Sequence, residues 1–134
     1  MKDDVRNFYI SVIVVMCLTM LLTLIPVWQL IIIPGIIAGL FNKSLKHGVL
    51  SGSFGVTLSW GLYILVGMIT RNVYIILDQF GELIFGEGLG WAFIILILVL
   101  AAIFGATGGG IGNGLMGIIK IYLEKHPFRD SKAE

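Results

Sequence analysis

Residues 101–117 read Ala-Ala-Ile-Phe-Gly-Ala-Thr-Gly-Gly-Gly-Ile-Gly-Asn-Gly-Leu-Met-Gly. This stretch continues the almost purely aliphatic run of residues 93–104, which is typical of a membrane helix. Each glycine in a helix costs about 1 kcal/mol against alanine, so a helix this rich in glycine needs a packing reason. Small residues let a neighbouring helix backbone approach closely, and in lipid such contacts hold helices together.

Small residues recur at every fourth position of this stretch, and this spacing places them on one face of a helix. The two adjacent rows are Ala101, Gly105, Gly109, Asn113 and Gly117, and Ala102, Ala106, Gly110 and Gly114. The pattern predicts a last helix that touches two neighbours, in the manner of a glycine zipper. Shorter rows earlier in the chain are Gly35 and Gly39, Gly48 and Gly52, and Ser51, Gly55 and Ser59.

The composition excludes most classes of protein. Hydrophobic residues form 57% of the 134 residues, charged residues form 13%, and the mean hydropathy is +1.00. A soluble domain is about 25% charged, and a disordered chain needs low hydrophobicity. The net charge of +1 gives no basic field for nucleic acid, and the single Cys17 cannot form an internal disulfide. The sequence therefore predicts one all-α integral membrane domain over residues 1–134.

Three stretches contain no Asp, Glu, Lys or Arg, namely residues 7–42, 47–70 and 88–119. A spanning helix needs about 20 apolar residues. The first stretch is too long for one span and contains two prolines, so we expect a hairpin with its turn at residues 26–29. The expected spans are about 8–25, 28–42, 48–70 and 91–113, with an outer segment at 71–90 and a polar C-terminal tail at 126–134.

The positive charges favour these four spans over the alternative, one span at residues 10–41 with a re-entrant piece. With four spans, every Lys and Arg except Arg71 falls on the same side of the membrane. Cytoplasmic loops are rich in Lys and Arg, so we expect both termini and the 42–47 loop in the cytoplasm of a multi-pass cell-membrane protein. The first apolar run ends without a small-residue cleavage site, which favours a retained anchor.

The outer segment is too apolar for an ordinary loop. Asp78 and Glu82 are four residues apart and would share one helix face, so the pattern predicts an amphipathic helix in the membrane interface. An alternative interpretation makes Asp78, Glu82 and Glu87 an acidic mouth that gathers cations near a pore. The sequence leaves open whether the last helix continues past Asn113 or breaks there.

Hydroxyl groups within the spans provide a second hypothesis on function. They can bond to the carbonyl groups of their own helix, or they can line a path through the membrane. The candidate lining residues are Ser51, Ser53, Thr57 and Thr107. Catalytic motifs, metal-ligand spacings and cofactor motifs are absent from the sequence, so no enzyme activity, metal or cofactor is predicted.

Residues 33–41, Ile-Pro-Gly-Ile-Ile-Ala-Gly-Leu-Phe, and residues 46–52, Lys-His-Gly-Val-Leu-Ser-Gly, resemble a family of small glycine-rich membrane proteins of unknown function found mainly in archaea. In that family a GxxAG helix precedes a short basic or polar loop and a G-A-x-x-G helix, and a glycine block like residues 105–117 closes the fold. The chain departs from this pattern at Val49-Leu50-Ser51, where the family tends to have alanine. The resemblance implies a multi-span fold and no activity.

Together these patterns predict a non-enzymatic membrane protein that assembles through glycine-rich helix faces, as a homo-oligomer or as an accessory subunit. Its expected partners are the lipid bilayer and another membrane subunit, not nucleic acid. The expected helix-packing residues are Gly35, Gly39, Gly48, Gly52, Gly55, Gly105, Gly109, Gly110 and Gly114. The alternatives are internal packing by the same glycines, a small pore or transporter, and a holin-like protein that permeabilises membranes.

Overall fold

The computed structural model describes residues 2–23 and 28–125, and these residues form an all-helical bundle. The helices are α1 (Lys2–Thr23), α2 (Ile32–Phe41), α3 (Leu45–Arg71), α4 (Val73–Phe85) and α5 (Gly90–Lys125), and a 3-10 turn (Trp28–Ile31) precedes α2. The all-α prediction is therefore confirmed. The predicted turn at 26–29 lies partly outside the described residues, and the predicted tail at 126–134 lies wholly outside them.

Three helices, α1, α3 and α5, are long and apolar enough to cross a membrane, by length and composition. These helices indicate a membrane protein. The second predicted span, about 28–42, contains a 3-10 turn and the ten residues of α2 instead of one long helix. Pro34 lies in the first turn of α2, where a helical N–H has no acceptor within the helix, so it does not break the helix.

The first three α-helices, α1, α2 and α3, alternate in direction. α1 and α3 run parallel, because Ser11 contacts Ser51 and, further along both helices, Ser59 contacts Met16. α5 runs antiparallel to α3 and parallel to α2, as these pairs of contacting glycines show: Gly52 with Gly105 and Gly48 with Gly109, then Gly35 with Gly108 and Gly39 with Gly112. The chain therefore reverses direction between α1 and α2 and again between α2 and α3.

The bundle buries small residues and exposes large apolar ones. Ser11 and Ser51 are completely buried, and Val56 is among the largest of the fully buried side chains. In contrast, Ile69 and Leu83 are 76% and 82% exposed. A protein that is dissolved in water buries most of its large apolar side chains in its interior. In a membrane, large apolar side chains can face the lipid tails, which are as apolar as leucine, and small residues pack the helices together. The burial pattern therefore agrees with the composition in indicating a membrane protein.

A single residue, Asn72, separates α3 from α4. Its φ of 51° and ψ of 35° lie in the left-handed region, which asparagine adopts more readily than most side chains. Leu77 and Gly81 form the buried face of α4, and Gly81 packs against Gly90 at the start of α5. The outer segment predicted at 71–90 is thus mainly a helix that packs on the start of α5.

The last helix is longer than predicted. The sequence predicts a helix at about 91–113 and leaves its continuation open, whereas α5 is continuous over 36 residues to Lys125. Its buried residues end at Gly112, so the residues after it form an extension with little burial. The six glycines of residues 105–114 are accommodated in the helix without a break.

Candidate functional site

The inner face of α5 meets α3 through glycines on both helices. Gly105 lies against Gly52, and Gly109 lies against Gly48. A Cβ atom on either α5 glycine would overlap a backbone carbonyl oxygen of α3. Contacts this close need glycine on both sides, and they bring Cα–H groups near carbonyl oxygens of the neighbouring helix. These four glycines therefore pack α3 and α5 within one chain.

A second part of the inner face meets α2. Gly108 lies against Gly35, and a Cβ atom on Gly112 would overlap the carbonyl oxygen of Ile36. The rows that the sequence predicts contain neither Gly108 nor Gly112. Gly108 and Gly112 are four positions apart, but the residue four positions before Gly108 is the bulky Phe104. They therefore do not belong to a long row of small residues. Their burial depends on which face of α5 is turned toward α2, and the sequence does not show this.

Two further glycines that the sequence marks for packing are also covered inside the chain. A Cβ atom on Gly39 would overlap the carbonyl oxygen of Gly109, and one on Gly55 would overlap the side chain of Val15 in α1. The glycine faces of α2, α3 and the inner side of α5 are thus occupied by neighbouring helices. A second chain has no room on these faces while the bundle is folded.

The outer stripe of α5 consists of Thr107, Gly110, Gly114 and Gly117. Spacings of three, four and three residues put them on one face, and Gly114 is half a turn away from Gly105 on the inner face. A Cβ atom on Gly110 would lie 3.7 Å from a methyl group of Val49, and one on Gly114 or Gly117 would meet no described atom within 4 Å. Of the predicted packing positions on this face, Gly114 therefore has open space beside it among the described residues, whereas Gly110 is half-buried beside Val49.

The outer stripe runs from the bundle onto the extension of α5. Because Gly109 lies opposite Gly48, α5 passes the start of α3 near Gly112 and then continues for about 20 Å at 1.5 Å per residue. The extension exposes several large apolar side chains, and Ile121 is 67% exposed. The stripe is therefore a small-residue surface with exposed apolar residues along its sides.

A buried polar cluster joins α1, α2, α3 and α5 near the loop between α2 and α3. Asn42 is 3% exposed, and its Nδ2 lies within hydrogen-bond distance of Ser11 Oγ (3.1 Å), Ser51 Oγ (2.9 Å) and the carbonyl oxygen of Ala38 (2.9 Å). Nδ2 of Asn113 donates to the backbone carbonyl oxygen of Asn42 at 2.6 Å. A satisfied buried network favours one arrangement of the helices that supply it, so this cluster fixes the relative heights of the four helices.

The four hydroxyl residues predicted as a pore lining do not meet in one cavity within residues 2–23 and 28–125. Ser51 belongs to the buried polar cluster, and Ser53 is half-buried on α3. The hydroxyl of Thr57 is buried without a hydrogen-bond partner among the described residues, and Thr107 is exposed on the outer stripe and donates to its own helix. This arrangement gives the pore hypothesis no common lining.

The three acids of the predicted mouth lie in and just after α4. The half-buried Asp78 places its carboxylate against Gly90, the first residue of α5, where a helix N-terminus favours negative charge. Glu82 and Glu87 are exposed. Among the described residues, no group of three His, Cys, Asp or Glu could hold a metal ion. The position of Asp78 is thus explained by the start of α5.

No protein-family model, curated protein or solved structure matches the chain. The family resemblance carried by residues 33–52 and 105–117 therefore stays a prediction. Function therefore has to be argued from the geometry of this chain. Packing among the described residues does not account for the glycines of the outer stripe of α5.

Proposed function

We propose that this chain is a non-enzymatic four-span membrane protein that forms a homo-oligomer through the outer stripe of α5. The observation that carries the proposal is the open space that the described residues leave beside Gly114 and Gly117. Both glycines lie inside a continuous helix, where each costs about 1 kcal/mol against alanine. The glycines of the inner face offset this cost through close contacts with α2 and α3. Those of the outer stripe do so only when another helix packs on them.

A second copy of the chain is the partner that fits the stripe. Ile103 and Ile121 lie on the same face at its two ends and are 54% and 67% exposed. Two copies related by a two-fold axis would bring identical patches together, so that the glycines of each stripe receive the backbone of the other. The large apolar residues at the ends would then cover the contact. Assembly through a glycine face that already packs inside the chain would require the bundle to open. Assembly through the outer stripe leaves the bundle closed.

The helix directions support four crossings of the membrane. Since α1 and α3 run parallel, the chain has to return to its starting side between them, and α2 with its 3-10 turn lies in that interval. These two elements together extend over about 23 Å, most of the ~30 Å hydrocarbon core. The positive charges then favour a cytoplasmic position for both termini and the 42–47 loop, with α4 at the outer interface.

Cysteine labelling in intact cells tests this orientation. In a Cys17→Ser background, an impermeant thiol reagent is expected to label Glu87→Cys from outside. Ser44→Cys is expected to react only after the cells are opened, because the loop that contains it faces the cytoplasm. Labelling of Ser44→Cys in intact cells, at the rate seen for Glu87→Cys, would contradict the proposed topology.

Disulfide cross-linking in membranes tests the interface. In the same background, mild oxidation is expected to convert Gly117→Cys into covalent dimers, because the two stripes face each other. Leu58→Cys is the matched control, since Leu58 is 51% exposed on α3, away from the stripe, and this variant is expected to form no covalent dimer. Equal yields at the two positions would indicate random encounters and would overturn the interface.

A further inference from the structure

An apolar cavity of about 460 Å³ lies between α1, α3, α4 and α5. Ile64 and Gly67 of α3, Leu77 of α4 and Ile97 of α5 form part of its wall. Its volume falls within the range of about 300 to 1,000 Å³ that is usual for small-molecule sites. No residue of the outer stripe or of the buried polar cluster lines it, so it is a separate feature of the molecule.

The cavity extends along α3. Trp60 and Arg71 both line it, and they lie eleven positions apart on α3, which at 1.5 Å per residue is about 17 Å. Between them, the hydroxyl of Thr70 donates to the carbonyl oxygen of Val66 at 2.8 Å, so it is already paired within its own helix. A long, apolar wall of this kind suits an extended acyl chain better than a compact polar ligand.

Arg71 provides a positive charge at one end of the cavity. It is the last residue of α3, it is exposed, and it makes no ion pair or hydrogen bond with another residue in the described ranges. The described residues that line the cavity include no Asp or Glu. A guanidinium group matches the oxygens of a phosphate with two parallel hydrogen bonds. The cavity thus combines an apolar channel with a cation at its mouth that has no partner among the described residues.

We propose that this cavity binds one anionic phospholipid of the bilayer, with an acyl chain along α3 and the phosphate group at Arg71. The charge of Arg71 selects the anionic lipid, and the cavity distinguishes this site from the general lipid-facing surface. The site requires that the chain lies in a membrane, but it does not require the homo-oligomer. A monomer with this lipid bound, or an oligomer without it, would therefore separate the two proposals.

Quenching of Trp60 fluorescence by brominated lipids tests the site. Trp28→Phe and Trp91→Phe leave Trp60 as the remaining one of the three tryptophans. In phosphatidylcholine vesicles, brominated phosphatidylglycerol is expected to quench with about fivefold higher apparent affinity than brominated phosphatidylcholine, the factor for one arginine that attracts an anionic lipid. Equal apparent affinities for the two lipids would overturn the proposal.

Variants of Arg71 locate the source of the preference. Arg71→Gln is expected to make the apparent affinities for the two brominated lipids equal, and Arg71→Lys is expected to keep most of the preference for phosphatidylglycerol. Lys120→Gln removes a positive charge from the exposed extension of α5 and is expected to leave the ratio of the two affinities unchanged. A preference for phosphatidylglycerol that survives Arg71→Gln, or that decreases as much in Lys120→Gln as in Arg71→Gln, would contradict the assignment. Leu77→Phe, which fills the cavity without changing charge, is expected to reduce quenching by both lipids.

Discussion

The glycine-containing part of α5 divides into an inner half, residues 101–112, and an outer half, residues 113–125, and the glycines of the two halves have different surroundings. In residues 101–112, four glycines are pressed against the backbones of α2 and α3. In residues 113–125, Gly114 and Gly117 have no described atom near the position of a Cβ. A glycine row therefore predicts that a helix will approach closely, but it does not say whether that helix belongs to the same chain. The same substitution made in each half separates the two cases.

The largest effect is expected in the inner half. Gly112→Leu should destabilise the monomer by about 3 kcal/mol or more, because the added side chain would have to displace the backbone of Ile36 in α2. Unfolding by denaturing detergent, followed by circular dichroism, measures this change. Gly117→Leu is the matched control on the same helix and is expected to leave the unfolding of the monomer almost unchanged. Similar losses in both variants would mean that the outer half is also packed within the monomer.

A moderate effect is expected at the boundary between the halves. Asn113→Ala removes the hydrogen bond to the carbonyl oxygen of Asn42 and should lower the free energy of unfolding by about 1–2 kcal/mol. Thr70→Ala removes a hydroxyl that bonds only to its own helix and should change it by much less. If the two variants unfold alike, the polar cluster does not hold the helices together.

The smallest effect is expected in the outer half, and it has the opposite sign. Gly117→Ala should raise the free energy of unfolding of the monomer in detergent by about 0.5–1 kcal/mol, because alanine favours the helix and its Cβ meets open space. Gly109→Ala, made in the same helix, should lower it, since the added Cβ would overlap Gly48. A loss of stability in the Gly117→Ala monomer would show that Gly117 already packs inside one chain.

Part of this comparison could be predicted from the sequence. Gly105 and Gly109 are four positions apart in the sequence, as are Gly48 and Gly52. This spacing is a local property of each helix, and it predicts a face of small residues that a neighbouring helix can approach closely. The rotation of α5 about its axis is a tertiary property. It places Gly108 and Gly112 in the contact and leaves Gly114 outside, which no spacing within α5 could indicate.

The buried polar cluster could not be predicted from the sequence either. Asn42 and Ser11 are 31 positions apart in the chain and meet because α1 and α2 form an antiparallel pair. A lone serine in an apolar helix gives no signal of such a partner, since it can equally bond to its own backbone. The charge-free stretches cover most of α1, α3 and α5, the three helices long and apolar enough to cross a membrane. The length of α2 was not predicted, because it depends on the preceding 3-10 turn, which has no distinct signature in the sequence.

The native mass of the chain in lipid nanodiscs tests most directly whether the outer half of α5 is an interface between copies. We expect the unmodified chain to form a homo-oligomer of one defined mass, and Gly114→Leu to be a monomer with unchanged helical content, because the leucine blocks the stripe without touching the bundle. A monomeric unmodified chain, or an oligomer that persists unchanged in Gly114→Leu, would contradict this account.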